Sequence, residues 1–227
     1  MRLLRGRADT RRADREATRH LVDRVGETGE PAVRVWRPGR QVAFGRRDTR
    51  QDGHERAAEC ARERGFPPVD RSVGGRAVAY TETTVAFARV EPVDDIREGL
   101  DARYTALVDD VQRALWQLGV PAQRGEPDAS FCPGAHSLQY RGKLVGIAQR
   151  VRSDAALVSG VLVVDGHDPI ADVLTHVYEA LDHPFDPGSV GSLARAGGDT
   201  SPERVLRTLE DTLVGDDDVR VEHVRQA

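Results

Sequence analysis

Residues 130–151 read Ser-Phe-Cys-Pro-Gly-Ala-His-Ser-Leu-Gln-Tyr-Arg-Gly-Lys-Leu-Val-Gly-Ile-Ala-Gln-Arg-Val. Two side chains in this stretch can do chemistry. Cys132 supplies a thiol, whose thiolate form is a strong nucleophile. Lys143 is the single lysine among the 33 lysines and arginines of the sequence. Arginine serves wherever positive charge alone is needed, but its wide, permanently charged fork cannot replace a compact ammonium in a narrow site. Lys143 is therefore a candidate for a specific chemical role, as a cation beside the thiolate, a hold on a carbonyl oxygen, or a proton relay at an acyl centre.

The pairing carries a geometric condition. If the chain turns tightly at Arg141-Gly142 and runs straight back, Cys132 lies about 25 Å from Lys143, at roughly 3.3 Å per residue. Pro133-Gly134 is a turn composition immediately after the cysteine, and the chain must reverse there for the two to share a substrate. His136 reads as a polar turn residue, and the 7 histidines show no zinc-ligand spacing.

A second glycine-rich point lies upstream, at Arg71-Ser-Val-Gly-Gly-Arg-Ala-Val78. Adjacent glycines before a strand permit positive φ, or close approach of another group to bare backbone. Gly74 and Gly75 are not a nucleotide fingerprint, since the spaced glycines and following helix are missing.

The elements that must position these residues follow from periodicity. Helices are expected over residues 9–25, 55–64, 100–118, 170–181 and 202–214, with Gly65, Gly119 and Gly215 as stops. Strands are expected at residues 32–36 and 41–44, joined as a hairpin through Arg37-Pro38-Gly39-Arg40, at residues 83–90, and at 155–164 as a buried central strand. Cys60 sits among Ala57, Ala58 and Ala61 and reads as a buried hydrophobe. Consecutive strand-like runs early and around Cys132 argue against a purely alternating parallel sheet. The fold class expected is α+β, a mixed or antiparallel central sheet with flanking helices.

Length and composition fit one domain over residues 1–227, with 215–227 a peripheral tail. Two cysteines cannot make a disulfide framework. A net charge of −4 argues against a general nucleic-acid binder. No apolar run approaches a membrane span, and the N-terminal residues lack the apolar stretch of a secretory signal, so no membrane association and a cytoplasmic location are expected.

Three motifs resemble the biotin/lipoate protein ligase and octanoyltransferase superfamily. Arg71-x-x-Gly-Gly-x-Ala-Val78 is similar to the strand that lines the family's acyl pocket, and Lys143-x-x-Gly-x-Ala-Gln149 to the signature around its catalytic lysine. Gly45-x-x-Asp-Thr49 and Ser130-x-Cys-Pro-Gly134 are similar to the amidotransferase branch that moves octanoyl groups between lipoyl-accepting proteins. The resemblance implies the ligase catalytic-domain fold without a further C-terminal domain. It implies catalytic roles for Cys132 and Lys143, and substrate binding by Arg71, Gly74, Gly75, Ala77, Val78, Gly146 and Ala148. It also implies transfer of an octanoyl or lipoyl group through a Cys132 thioester, with glycine-cleavage H protein and E2 lipoyl domains as partners and no cofactor. Two departures stand out: ligases of the family usually carry a histidine where Tyr80 stands, and the family's turn glycine usually lies two residues before the lysine, whereas Gly142 adjoins Lys143. Two alternatives stay open: an ATP- and Mg-dependent lipoate ligase catalytic domain in which Cys132 is incidental, and a non-catalytic protein that only docks lipoyl domains.

Overall fold

The apolar run near residues 155–164 forms the strand on which the main sheet is built. In the computed structural model, which describes residues 1–71, 75–95, 97–152 and 154–224, the elements in chain order are β1 (Arg2–Arg5), α1 (Arg11–Thr28), β2 (Ala32–Trp36), β3 (Gln41–Phe44), α2 (His54–Glu63), β4 (Pro68–Asp70), β5 (Val78–Tyr80) and β6 (Val85–Pro92). They continue with α3 (Leu100–Gln117), β7 (Gln123–Arg124), β8 (Ser137–Gln139), β9 (Lys143–Val151), β10 (Ala155–Leu162), α4 (His167–Ala180), α5 (Leu193–Ala196), α6 (Pro202–Val214) and β11 (Arg220–His223). Eight strands form one mixed sheet in the order β11-β1-β2-β6-β10-β9-β8-β7, and β4-β3-β5 form a second sheet. β10 pairs antiparallel with β6 on one side and β9 on the other. The architecture is the mixed sheet with flanking helices that the strand-like runs imply.

Alternation along the strands separates the cores. On one face of the large sheet, Val33, Val35 and Phe87 pack with Leu107, Val111 and Leu115 of α3 and Leu209 of α6. On another, Ala32 and Val90 meet Leu21, Val22 and Val25 of α1. A third cluster joins the small sheet, through Val42, Phe44 and Val78, to α2 and α4.

Two expectations change. The strands at 32–36 and 41–44 exist but form no hairpin: β1 and β6 occupy both edges of β2, so β3 crosses into the small sheet. Cys60 lies at the margin of the small-residue face and is partly exposed, while Ala57, Ala58 and Ala61 are buried. Of the tail, β11 lies at the edge of the large sheet, running parallel to β1. Among the described residues, no helix is long and apolar enough to cross a membrane.

A buried ion pair ties α1 to the sheet. The Arg34 guanidinium, fully buried, donates to the Asp14 carboxylate at 2.5 Å, and the Trp36 indole donates to the same carboxylate at 2.9 Å. Burial pulls the Arg34 pKa below its ordinary value, and Asp14 only partly restores it. Asp14→Ala strands that cation, and is expected to cost about 3–5 kcal/mol in urea unfolding. Adding Arg34→Met to it is expected to return a large part of the loss, because no unpaired charge then remains buried.

Candidate active site

Cys132 has φ +43, a left-handed conformation that side chains other than glycine rarely adopt. Such strain costs about 1–3 kcal/mol and persists only where surrounding contacts impose it. They do so here on both sides of the residue. The Cys132 amide donates to the Tyr178 hydroxyl at 2.6 Å, and the Cys132 carbonyl accepts from Lys143 Nζ at 2.9 Å. The Tyr178 hydroxyl in turn donates to the Ala77 carbonyl at 3.0 Å; burial pushes its pKa far up, so it keeps its proton.

The sulfur faces the small sheet's glycine-rich approach. Cys132 Sγ accepts from the Arg76 amide at 3.3 Å and from Arg71 Nη2 at 3.5 Å. Gly75 has φ +90, and a Cβ there would lie 2.7 Å from Sγ. Both uses of a glycine that the sequence suggests, positive φ and close approach, therefore meet at Gly75. Gly45 plays the matching part beneath it, since a Cβ at that position would lie 1.9 Å from the Gly75 carbonyl oxygen. Asp48, fully buried, pairs with Arg76 Nη1 at 3.1 Å. The Gly45-x-x-Asp pattern thus supports the backbone that donates to the thiol. Gly74 lies outside the described residues.

Lys143 is also fully buried. Its ammonium donates to Glu126 Oε2 at 2.6 Å and to the carbonyls of Phe131 and Cys132, each at 2.9 Å. An ammonium has three protons, and all three are committed. Glu126 additionally accepts from the Gly134 amide and the Ser137 hydroxyl, each at 2.8 Å, which clamps the Pro133-Gly134 turn. Burial works to raise the Glu126 pKa, but the hydrogen bond and charge of Lys143, with Ser137 and Gly134, outweigh it and hold the carboxyl below its ordinary value.

The hairpin brings Cys132 and Lys143 into contact rather than about 25 Å apart at roughly 3.3 Å per residue. β8 is only three residues long and pairs with β9 in the register Ser137↔Gly146, and the chain ahead of β8 turns back toward the sheet. Cys132 and Lys143 therefore meet through the Cys132 carbonyl, while Arg71 and the Arg76 amide serve the sulfur.

These groups border a cavity of about 720 Å³, within the roughly 300–1,000 Å³ usual for small-molecule sites. Its walls come from both sheets: Ala43 and Val78 on the small one, and Ala86, Gly146, Ile147 and Ala148 on the large one. Arg71, Gly75, Tyr80, Cys132 and Lys143 also line it. Ala77 does not; it is buried behind the wall and contributes its carbonyl to Tyr178. His136, expected as a plain turn residue, lines the cavity with its ring stacked on Tyr104 at 3.8 Å. Sequence reasoning misses Glu126, Asp48, Arg76 and Tyr178 as site residues. Asp48 and Arg76 lie inside the family-like motifs, Tyr178 belongs to an apolar helix stripe, and nothing in the spacing points to Glu126.

The fold is that of lipoate protein ligase catalytic domains. It superposes with a TM-score of 0.69 on a bipartite lipoate protein ligase of Thermoplasma acidophilum, studied with its E2 lipoyl domain, at 19% identity over 99% of this chain and 87% of that one. With lipoate-protein ligase A bound to ATP the TM-score is 0.66, at 18% identity, covering 100% of this chain and 88% of that one. The chain belongs to the lipoyl protein ligase A/B catalytic domain family, which it matches over residues 14–213. Among curated relatives, an octanoyl-[GcvH]:protein N-octanoyltransferase of Kyrpidia tusciae is 35% identical over 136 residues, 59% of this chain and 46% of that protein. One of Bacillus velezensis is 29% identical over 165 residues, 70% of this chain and 57% of that protein. The chain spans about half the length of the curated relatives it matches.

The depressed Glu126 carboxyl makes a signed prediction. Its contribution to stability is present above the ordinary carboxylate pKa of about 4.3 and is lost as pH falls through the lower folded value. Unfolding free energies measured at pH 6 and pH 3 should fall more steeply in the wild type than in Glu126→Gln. Equal losses in the two proteins would remove Glu126 from the account of acid sensitivity.

Proposed function

We propose that this chain catalyses transfer of an octanoyl or lipoyl group from a carrier-protein lysine to the lysine of a lipoyl-accepting domain, through a thioester on Cys132. The observation that carries this reading is the strained Cys132, its sulfur held by a backbone amide and a guanidinium at the wall of an acyl-sized cavity. Donors aimed at sulfur stabilise the negative charge that a thiolate nucleophile bears. The names of the curated relatives support the same chemistry.

The steps follow from the groups present. The Cys132 sulfur attacks the carbonyl carbon of the acyl-lysine amide, its proton passes to the leaving lysine nitrogen, and the C–N bond breaks to leave a thioester. The acceptor lysine amine then attacks that carbonyl, the C–S bond breaks, and a proton returns to sulfur. Arg71 and the Arg76 amide act on sulfur at both stages. Lys143 positions Cys132 through its carbonyl, and contact between its ammonium and the acyl oxygen requires exchange of one of its present acceptors. Gly75, Val78, Gly146 and Ala148 form the acyl wall, with Ala77 acting behind it through Tyr178. Glycine-cleavage H protein and E2 lipoyl domains are the proposed donor and acceptor, and a cytoplasmic site of action fits these partners. No ATP is consumed, because one lysine amide replaces another. Residues 1–227 act together as one catalytic domain.

Incubation with octanoylated H protein, without ATP, should add one octanoyl group to Cys132, seen by intact mass and released by hydroxylamine. Arg71→Met should slow adduct formation on the order of 10²-fold, the loss typical of removing one preorganised donor. No labile adduct on the wild type would remove the thioester mechanism. Undiminished activity of Cys132→Ser together with lipoate-dependent pyrophosphate exchange would replace it with an ATP-dependent ligase, and absence of any turnover would leave a docking protein.

A further inference from the structure

The cavity's outer rim differs in character from its walls. Arg11, Arg15 and Arg19 recur every fourth residue along one stripe of α1, and Arg150 and Arg152, at the end of β9, line the cavity as well. Arg11 donates to the Arg40 carbonyl, and Arg152 pairs with Asp23 at 2.6 Å. Among the described residues, no carboxylate lies within ion-pair distance of Arg15 or Arg19. Of the two acidic residues that border the cavity, Asp14 is engaged by Arg34 and Trp36, and Asp70 is exposed with His54 Nε2 at 3.3 Å. Burial lowers the Arg150 pKa, and the charges of Arg152, Arg46 and Arg19 lower it further, which reports their crowding. A molecule of net charge −4 thus gathers cations around a single opening.

Arg15 and Arg19 are the rim charges left for a partner to answer, and the layout of their stripe tells what shape that partner has. Arg11 to Arg19 spans about 12 Å of helix at 1.5 Å per residue. A single phosphate needs donors that converge on one point, whereas a row of this length along a helix suits charges spread over a surface.

We infer that the arginine rim docks the acidic face of the protein that presents the acylated lysine, steering that lysine into the cavity toward Cys132. This rests on the transfer reading above, and names what the carrier must show around its lysine. Rim charges of this kind act chiefly on association rate and its salt dependence. The pocket chemistry is separate from them, because the five arginines border the mouth and make none of the hydrogen bonds to Cys132 or Lys143.

The test compares two donors on the charge-reversed double variant Arg15→Glu/Arg19→Glu, whose fold is checked by its thermal transition. One donor is octanoylated H protein. The other is the octanoyl thioester of N-acetylcysteamine, small and uncharged, which acylates Cys132 by thiol exchange with release of the free cysteamine thiol. The variant should lose at least about tenfold in adduct formation from the protein donor while staying within about twofold for the small one. Raising salt from about 50 to about 300 mM should slow the wild type only with the protein donor. An unchanged rate from the protein donor overturns the proposal, as does an equal loss with both donors, which would make the rim part of the acyl site. Competition by millimolar pyrophosphate against the small donor in the wild type, absent in the variant, also overturns it and makes the rim a phosphate site. Binding of unmodified H protein, followed by calorimetry, decides docking even if neither donor acylates the wild type: in that case the transfer reading fails, and loss of binding in the variant still upholds the rim.

Discussion

The structure depends on one buried charge. Lys143 is fully buried, and an ammonium left there without partners would cost several kcal/mol. Three acceptors offset that cost: one carboxylate, from Glu126, and the consecutive carbonyls of Phe131 and Cys132. Two consecutive carbonyls can point at one ammonium only if the backbone between them curls. The left-handed φ of Cys132 is part of that curl. Solvating the lysine and shaping the Cys132 loop are therefore one requirement, and a planar, five-donor guanidinium could not meet it in the same space. This accounts physically for a lone lysine in a chain otherwise served by arginine.

A second chain of constraints reaches the sulfur from the opposite side. Asp48 is buried and fixes the Arg76 side chain, Gly45 lets the Gly75 carbonyl lie against bare backbone, and the Arg76 amide then points at Cys132 Sγ. These residues belong to the small sheet and its approach, whereas Lys143 opens β9 of the large sheet. The thiol sits at the junction of the two sheets, held through its backbone by one and through its sulfur by the other. Tyr178 of α4 links them, accepting from the Cys132 amide and donating to the carbonyl of Ala77.

Much of this is legible in the residues, and the boundary is instructive. The helices and the central strand announce themselves because their apolar periodicity is imposed by the core they cover. The separation of β2 from β3 is not legible, because a Pro-Gly turn fixes a bend but not which free edge the next strand will find. Cys132, Lys143 and Gly75 stand out by type and neighbours, since each does something its substitutes cannot. Glu126 does not: a carboxylate that balances a buried lysine 17 residues away looks, in one dimension, like any solvated glutamate. Tyr178 is hidden differently, because its ring obeys the helix's apolar stripe and only the hydroxyl leaves it. Partners chosen by tertiary geometry leave little local trace.

The site's composition also fits the energetics of the proposed transfer. Donor and acceptor are both lysine amides, so the exchange is close to thermoneutral and no energy source is needed; the difficulty is kinetic, lying in the passage over a thioester. Two requirements follow. Negative charge on sulfur must be stabilised before attack and again when the thioester collapses, which the Arg76 amide and Arg71 can do without moving, since preorganised donors need no reorganisation at the moment of reaction. The intermediate must also be kept from water, which would hydrolyse the thioester and waste the acyl group. In the proposed transfer, the apolar walls of Ala43, Val78, Ala86 and Ile147 would serve that end. In that reading the polar groups at the thiol act on the reacting bond, and the arginines of the rim on the protein that delivers it.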